Sequence, residues 1–370
     1  MKKIKRADLV LLRVTGALLL FGTFSLLLFP APRFSAEENR YLAPRPDFSW
    51  RALANGSYTA AWESYTAERM PYRGLLRDLH AMGELALGKR EVGGVMLCRD
   101  GSLARRLTVN ERAYRKNLAA LTRLSERAAA LGTPLTVAVA PRRVDMRSAV
   151  LPQGYDGWQD RAPYQTLAEE LPTSIALTTL TEDVHWFRTD HHWTAEGAFA
   201  AYLSLGAALG YTPYQREDFC QITVSNAFFG TSDAAAGIPL ICPDKIELWR
   251  YEGDEALHLT KDGQPADFEG IYDFSKLDTR DGYAVFLGGN DGICEIASGQ
   301  VDDRPTLLVF KDSFANALLP FLSRHYRILA VDPRYATKDI DTLLASADRV
   351  LVLMGMQTLT EAAVLEKSGK

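Results

Sequence analysis

Residues 306–316 read Thr306-Leu-Leu-Val-Phe-Lys-Asp-Ser-Phe-Ala-Asn316. The opening apolar run does not alternate with polar residues, which is the pattern of a strand buried on both faces of a parallel sheet. It ends in Lys311-Asp312-Ser313, and a helix is expected from Phe314 to Leu322. In open parallel sheets, sites lie beyond the carboxyl ends of strands, which is where Ser313 falls. Its backbone N–H, at a helix entrance, can serve as an oxyanion donor while its hydroxyl attacks. Most serines in such turns are simple caps, so Ser313 gains chemical meaning only if the chain also supplies a base.

The same alternation spreads outward in both directions. Leu135–Ala140 (LTVAVA), Tyr326–Val331 (YRILAV) and Arg349–Met354 (RVLVLM) are further apolar runs of strand length. Helical patterns are expected at Glu111–Leu131, ending at Gly132, at Ala195–Leu209 and at Asp339–Ala347. Strands alternating with helices imply an α/β fold, a parallel sheet covered on both sides. Between about Tyr211 and Tyr283 turn residues multiply, as in Tyr251-Glu-Gly-Asp254 and Lys261-Asp-Gly263, and a strand-rich insertion is expected there. A strand over Tyr283–Leu287 is expected to precede Gly288-Gly289-Asn290. Nearer the amino end, Trp50 to about Leu87 is helical in pattern, and Gly93–Leu97 reads as a short strand with a turn at Asp100-Gly101.

The chain has 370 residues, 47% hydrophobic and 24% charged, with a formal charge of −4. This composition excludes intrinsic disorder and argues against a nucleic-acid partner, which calls for a basic balance or face. Only one long apolar segment exists, Leu9–Phe29, preceded by Lys2, Lys3, Lys5 and Arg6. That arrangement holds the amino end inside, and no small-x-small cleavage site follows. We expect an uncleaved signal anchor over 1–30, a stalk and helical linker over 31–92, and the main domain over 93–370 with its insertion at about 211–283. The expected location is the cell membrane, single-pass, with the carboxyl-terminal domain extracytoplasmic; secretion after signal cleavage is the alternative. Cys98, Cys220, Cys242 and Cys294 then sit where disulfides are permitted, and four cysteines allow three pairings. A Cys220–Cys242 pair would close a modest loop; four free thiols are an equal alternative.

The densest polar cluster is Thr181–Trp193, TEDVHWFRTDHHW, with three of the six histidines. Thr194 can cap the helix that follows, so the cluster occupies a loop at a helix entrance. Serine is a poor nucleophile until a base takes its proton, and the base needs an acceptor on its other nitrogen. Asp190, His192 and Ser313 supply those three parts.

TDHHWT, FFGTSD (Phe228–Asp233), FLGGND (Phe286–Asp291), KDSFAN and VDPRY (Val331–Tyr335), with FSAEENRYL after the apolar segment, resemble the DHHW family. That family is similar to the SGNH-hydrolase-like acetyltransferases of alginate and other exopolysaccharide systems. The resemblance implies a permuted SGNH-hydrolase-like three-layer sandwich, with Asp190 as orienter, His192 as base and Ser313 as nucleophile. It further implies that the Asn290 amide contributes at the oxyanion. His191 is either a ligand-contacting imidazole or a structural hydrogen-bonder, and His185 and Trp186 are packing residues. Lys311 stands where SGNH hydrolases carry a glycine, and Asp-x-His is tighter than their Asp-x-x-His.

The expectation is a serine-dependent O-acetyltransferase, or acetylesterase, acting on cell-surface polysaccharide without cofactor or metal. By resemblance, a multispanning membrane acyltransferase delivers the acyl group. An alternative is a non-catalytic glycan-binding or assembly subunit whose Trp186, Phe187 and Trp193 stack on sugars. A third reading is a metal-dependent hydrolase using Asp183, His185, Asp190, His191 and His192. Adjacent histidines rarely share one ion, and no His-x-x-x-His pair occurs, which disfavours it.

Overall fold

The computed structural model describes residues 6–28, 33–35, 40–70, 72–177, 180–299, 302–336 and 340–366. The lysines of the amino-terminal basic flank, residues 29–30 at the end of the expected anchor, and residues 31–32 and 36–39 of the expected stalk lie outside them. The chain divides into two compact units, one formed by residues 1–89 with 237–239, the other by the remainder.

In the first unit Arg6–Leu28 is a helix. Among the described residues no helix is long and apolar enough to cross a membrane. The anchor expected from the sequence is therefore not supported by this finding. The helical pattern over Trp50–Leu87 resolves into three helices, Trp50–Ala54, Ser57–Glu68 and Arg73–Ala86. Asn55-Gly56 makes the first break, with Gly56 at φ 80°, a left-handed conformation that glycine adopts without penalty.

The second unit is built on a mixed sheet. Its strands are β1 (Leu135–Ala140), β2 (Ile175–Ala176), β3 (Leu257–Lys261), β4 (Gln264–Pro265), β5 (Ile293–Ser298), β6 (Thr306–Lys311), β7 (Arg327–Val331) and β8 (Arg349–Gly355). The order across the sheet is β4-β3-β5-β7-β6-β8-β1-β2. From β7 to β2 every pairing is parallel, while β5, β3 and β4 extend the β7 edge with antiparallel pairings. The central strands feed both faces, as their unbroken apolar runs require. Leu307, Val309, Leu351, Leu353, Ala138 and Ala140 pack with helix α2 (Ala195–Leu209) on one side. Leu308, Phe310, Val350, Val352, Val137 and Val139 pack with helix α1 (Glu111–Ala130) on the other. The result is three layers, with the carboxyl ends of β6 and β8 open for a site.

Three expectations need correction. Gly282–Val285 is a 3₁₀ turn, not a strand. Leu287, Gly288 and Gly289 follow it with φ of 61°, 68° and 102°, left-handed values no strand can hold, so the strand is deferred to β5. The helix expected at Phe314–Leu322 splits into a 3₁₀ turn, Ser313–Ala317, and a short helix, Leu319–Leu322. Pro320 forces the restart, because in a continuous helix its ring would strike the carbonyl of residue 316. The sheet is also not purely parallel. The stretch expected as an excursion contributes β3 and β4 to it, while Cys220–Phe228 and Asp244–Arg250 pair as a separate two-stranded ribbon.

All four cysteines are free thiols. In the ribbon Cys220 faces Arg250, whereas Cys242 precedes the other end, where Phe228 faces Asp244. The two sulfurs are thus separated by most of a ribbon about 20 Å long, well past disulfide reach.

Candidate active site

Ser313 is separated from the end of β6 by one residue. Asp312, which precedes it, is buried and fully engaged. Its Oδ1 accepts the Phe314 N–H at 2.9 Å; its Oδ2 accepts the Gly355 N–H at 2.8 Å and the Thr358 hydroxyl at 2.6 Å. Asp312 therefore fixes the turn against the end of β8, leaving Ser313 half-buried at its tip. As first residue of the 3₁₀ turn, Ser313 has a backbone N–H with no acceptor inside that turn.

The second part of the site is the loop before α2. A bridge between Trp186 and Trp193 closes it, and the Thr194 hydroxyl accepts the Gly197 N–H at the helix start. The buried Asp244 carboxylate accepts from the Arg188 N–H, the Thr189 N–H and the Thr189 hydroxyl, pinning the centre of the loop. The Trp193 indole N–H joins the loop to the serine turn, donating to the Phe314 carbonyl at 2.8 Å, and from the Gly282–Val285 turn the Tyr283 hydroxyl donates to the Ser313 carbonyl at 3.1 Å. Residues 121 positions apart are thereby brought into contact.

His192 Nε2 lies 2.7 Å from Ser313 Oγ. His192 Nδ1 lies 2.5 Å from Asp190 Oδ1, which also accepts the His192 backbone N–H at 2.9 Å. The carboxylate can only accept, so Nδ1 carries the proton and Nε2 presents its lone pair to the serine hydroxyl. The Tyr283 ring stacks on His192 at 3.9 Å with 4° between planes, fixing the imidazole from its face. Asp190 is buried, and burial alone would raise its carboxyl. His191, His192 and the His192 N–H outweigh that and hold it far below the usual carboxylate range.

His191 bonds through Nδ1 to the Thr231 hydroxyl at 2.8 Å. That hydroxyl donates its proton to Asp190 Oδ2 at 2.9 Å, so His191 must be the donor to it, with Nδ1 protonated. Burial, reinforced by His192, pushes the His191 imidazole down to about 3. It is neutral at physiological pH, with Nε2 left as an acceptor. His191, Asp190 and Phe314 also line a small cavity of about 40 Å³ walled by Leu103, Trp186 and Met356.

Asn290 is exposed, with its side-chain oxygen bonded to Asn316 and Lys311. His185 is buried and Trp186 donates to the Pro141 carbonyl at 3.0 Å. Asp332 and Arg334 form a two-pronged ion pair. The residues of the metal reading divide. Asp190, His191 and His192 bring ligand atoms within 4.8 Å of one another. The two nitrogens of His192 and Nδ1 of His191 are already engaged by Asp190, Ser313 and Thr231. Asp183 pairs with Arg143 and Arg147, and His185 accepts the Glu182 N–H.

Thr231 and Tyr283 were not singled out by sequence reasoning. Thr231 lies 41 residues from Asp190, to which it donates both its N–H, at 2.7 Å, and its hydroxyl. Gly230 beside it has a steric reason: a Cβ there would meet Asp190 Cβ at 2.2 Å and Oδ2 at 2.4 Å. Gly230→Ala is expected to push Asp190 off His192 and to lower ester turnover about 10²-fold or more, as misplaced groups do. Initial rates on an acetyl ester, beside a melting curve, check this.

Residues 176–331 match the family model described as DHHW protein. Residues 100–228 match the one described as SGNH hydrolase-like domain, acetyltransferase AlgX. These matches bear out the resemblance read from the sequence. No curated protein matches the chain. Among solved structures, a DHHW family protein from Eubacterium siraeum superposes with a TM-score of 0.63 at 20% identity, covering 76% of this chain and 96% of that one. Bacillus cereus PatB1, solved with a sulfonyl adduct, superposes at 0.60 and 20% identity, covering 74% and 98%. At such identities the likeness establishes a shared fold.

Proposed function

We propose that the chain is a serine-dependent O-acetyltransferase acting on a polysaccharide at the cell envelope. One observation carries the reading: Ser313 Oγ, His192 and Asp190 form an unbroken hydrogen-bonded line of 2.7 and 2.5 Å. His192 Nε2 takes the Ser313 proton as Oγ attacks the acyl carbonyl. The oxyanion meets the Ser313 N–H and the Asn290 amide, and the donor's leaving oxygen departs with the proton from His192. The acyl-serine is then attacked by a sugar hydroxyl, whose proton passes to His192 and on to the released Ser313 oxygen. Water in place of the sugar gives an esterase. Asp190 remains a carboxylate throughout and stabilises the imidazolium.

Supporting the transferase reading is the match to the AlgX acetyltransferase model over the segment that carries Asp190 and His192. The cationic residues Lys2, Lys3, Lys5 and Arg6 ahead of the apolar segment Leu9–Phe29 are the sequence feature behind a membrane-held amino end and an extracytoplasmic catalytic unit. A membrane acyltransferase is then the donor's source, since acyl-CoA is confined to the other side. Full-length protein given 4-nitrophenyl acetate and an oligosaccharide acceptor is expected to release nitrophenol and yield acetylated sugar, read by mass spectrometry. Release without sugar acetylation assigns the esterase instead, and neither product rejects the chemistry.

A further inference from the structure

Lys311 is the last residue of β6, and only 1% of it is exposed. Its partners are two neutral amide oxygens, Asn316 Oδ1 at 2.7 Å and Asn290 Oδ1 at 3.3 Å. A buried ammonium is costly unless fixed polar groups hold it, and a methionine of similar length would fill the space without that cost. The turn in front of it is unusual too. Leu287, Gly288 and Gly289 are successive left-handed residues, and Leu287 accepts this conformation with a side chain attached.

The network has a direction. Asn316 Nδ2 donates to the Gly289 carbonyl at 3.1 Å and to Asn290 Oδ1 at 3.3 Å. Asn290 Oδ1 thus receives N–H groups from both Lys311 and Asn316, which only the carbonyl end of an amide can do. The NH₂ end of the exposed Asn290 side chain is therefore turned away from the buried ammonium. Ser313 and Asn316 belong to one 3₁₀ turn, where residues three apart share a face, so Asn290, bonded to Asn316, is tied to the turn that carries the Ser313 hydroxyl.

We propose that Lys311 is a positioning residue, whose buried ammonium clamps the Asn290 carbonyl and so presents the Asn290 amide to the oxyanion formed at Ser313. This rests on the serine mechanism above. The test is a double-mutant cycle on full-length protein with 4-nitrophenyl acetate, using Asn290→Ala, Lys311→Met and both together. Asn290→Ala is expected to lower kcat about 10²-fold with little change in KM, as loss of an oxyanion donor does. Lys311→Met is expected to lower kcat at least about tenfold, and the double variant to match Asn290→Ala within about twofold. Wild-type turnover in Lys311→Met, or losses that multiply, overturns the proposal. Melting curves accompany each variant, and Lys311→Gln replaces Lys311→Met if the latter fails to fold. Sulfonyl labelling of Ser313 in the wild type checks the underlying mechanism separately. Should that fail, the clamp is read from the Asn290 side-chain amide pair in ¹⁵N spectra: a shift on Lys311 substitution sustains it, and an unmoved pair overturns it.

Discussion

Ser313→Ala is expected to reduce acetyl-ester turnover by roughly 10⁴–10⁶-fold, leaving only what oxyanion stabilisation and binding provide. The size follows from the covalent route: without Oγ there is no acyl-enzyme, and His192 has no hydroxyl to activate. Folding should be little affected, because the side chain is half-buried and its hydroxyl bonds, among the described residues, to His192, while Asp312 and Tyr283 hold the backbone of the turn. The measurements are kcat/KM on 4-nitrophenyl acetate and the intact mass after exposure to a sulfonyl fluoride. Wild-type protein should gain one sulfonyl group and the variant none. Turnover at the wild-type level in the variant would remove Ser313 from the chemistry, and a wild type that neither labels nor turns over but binds glycan would point to the glycan-binding alternative.

Asp190→Asn carries the second large effect, about 10⁴-fold in kcat near neutral pH. Asp190 accepts on both oxygens: Oδ1 from the His192 N–H and Nδ1, Oδ2 from the Thr231 N–H and hydroxyl. An amide has one accepting end. Turned with its NH₂ toward His192, it makes Nδ1 the acceptor and moves the ring proton to Nε2, which can then no longer take the proton of Ser313. Turned the other way, its NH₂ meets the Thr231 N–H, and the loop is pried from Thr231. Stability should fall as well, by about 1–3 kcal/mol for the buried donor left without a partner. Rates and urea unfolding, measured side by side, separate the two consequences; a kcat within tenfold of wild type would contradict the orienting role.

The depressed His191 adds a consequence for pH. Its pKa of about 3 in the folded chain lies below the ordinary value of 6.5, so on acidification the unfolded chain takes up the proton first. This group's contribution therefore weakens stability as pH falls from about 6.5 toward 3 and is absent above that window.

Much of the scaffold was legible because it follows from local rules. Unbroken apolar runs marked β1, β6, β7 and β8, since a strand covered on both faces has no place for polar alternation. Ala195–Leu209 kept the boundaries expected from its pattern, with Thr194 as cap and Gly210, at φ 75°, as terminator. Misread elements were those in which a short-range signal yielded to a distant demand. Tyr283 has strand-like neighbours, but its ring is spent stacking on His192. β3 and β5 read as turn-rich or unremarkable, because antiparallel strands mix buried with half-exposed positions and lack an unbroken apolar run.

The sequence by itself determined the layers, the position of Ser313 past a strand end and the nearness of Asp190 to His192, because each depends on spacing within a few residues. Tertiary structure alone decided that the imidazole reaches the hydroxyl, that Thr231 holds the carboxylate, that Cys220 and Cys242 stay apart, and that Lys311 lies beneath Asn290. Those contacts join segments from 21 to 121 residues apart. Their geometry is fixed by packing of the whole sheet and its two covering layers, and no periodicity along the chain encodes it.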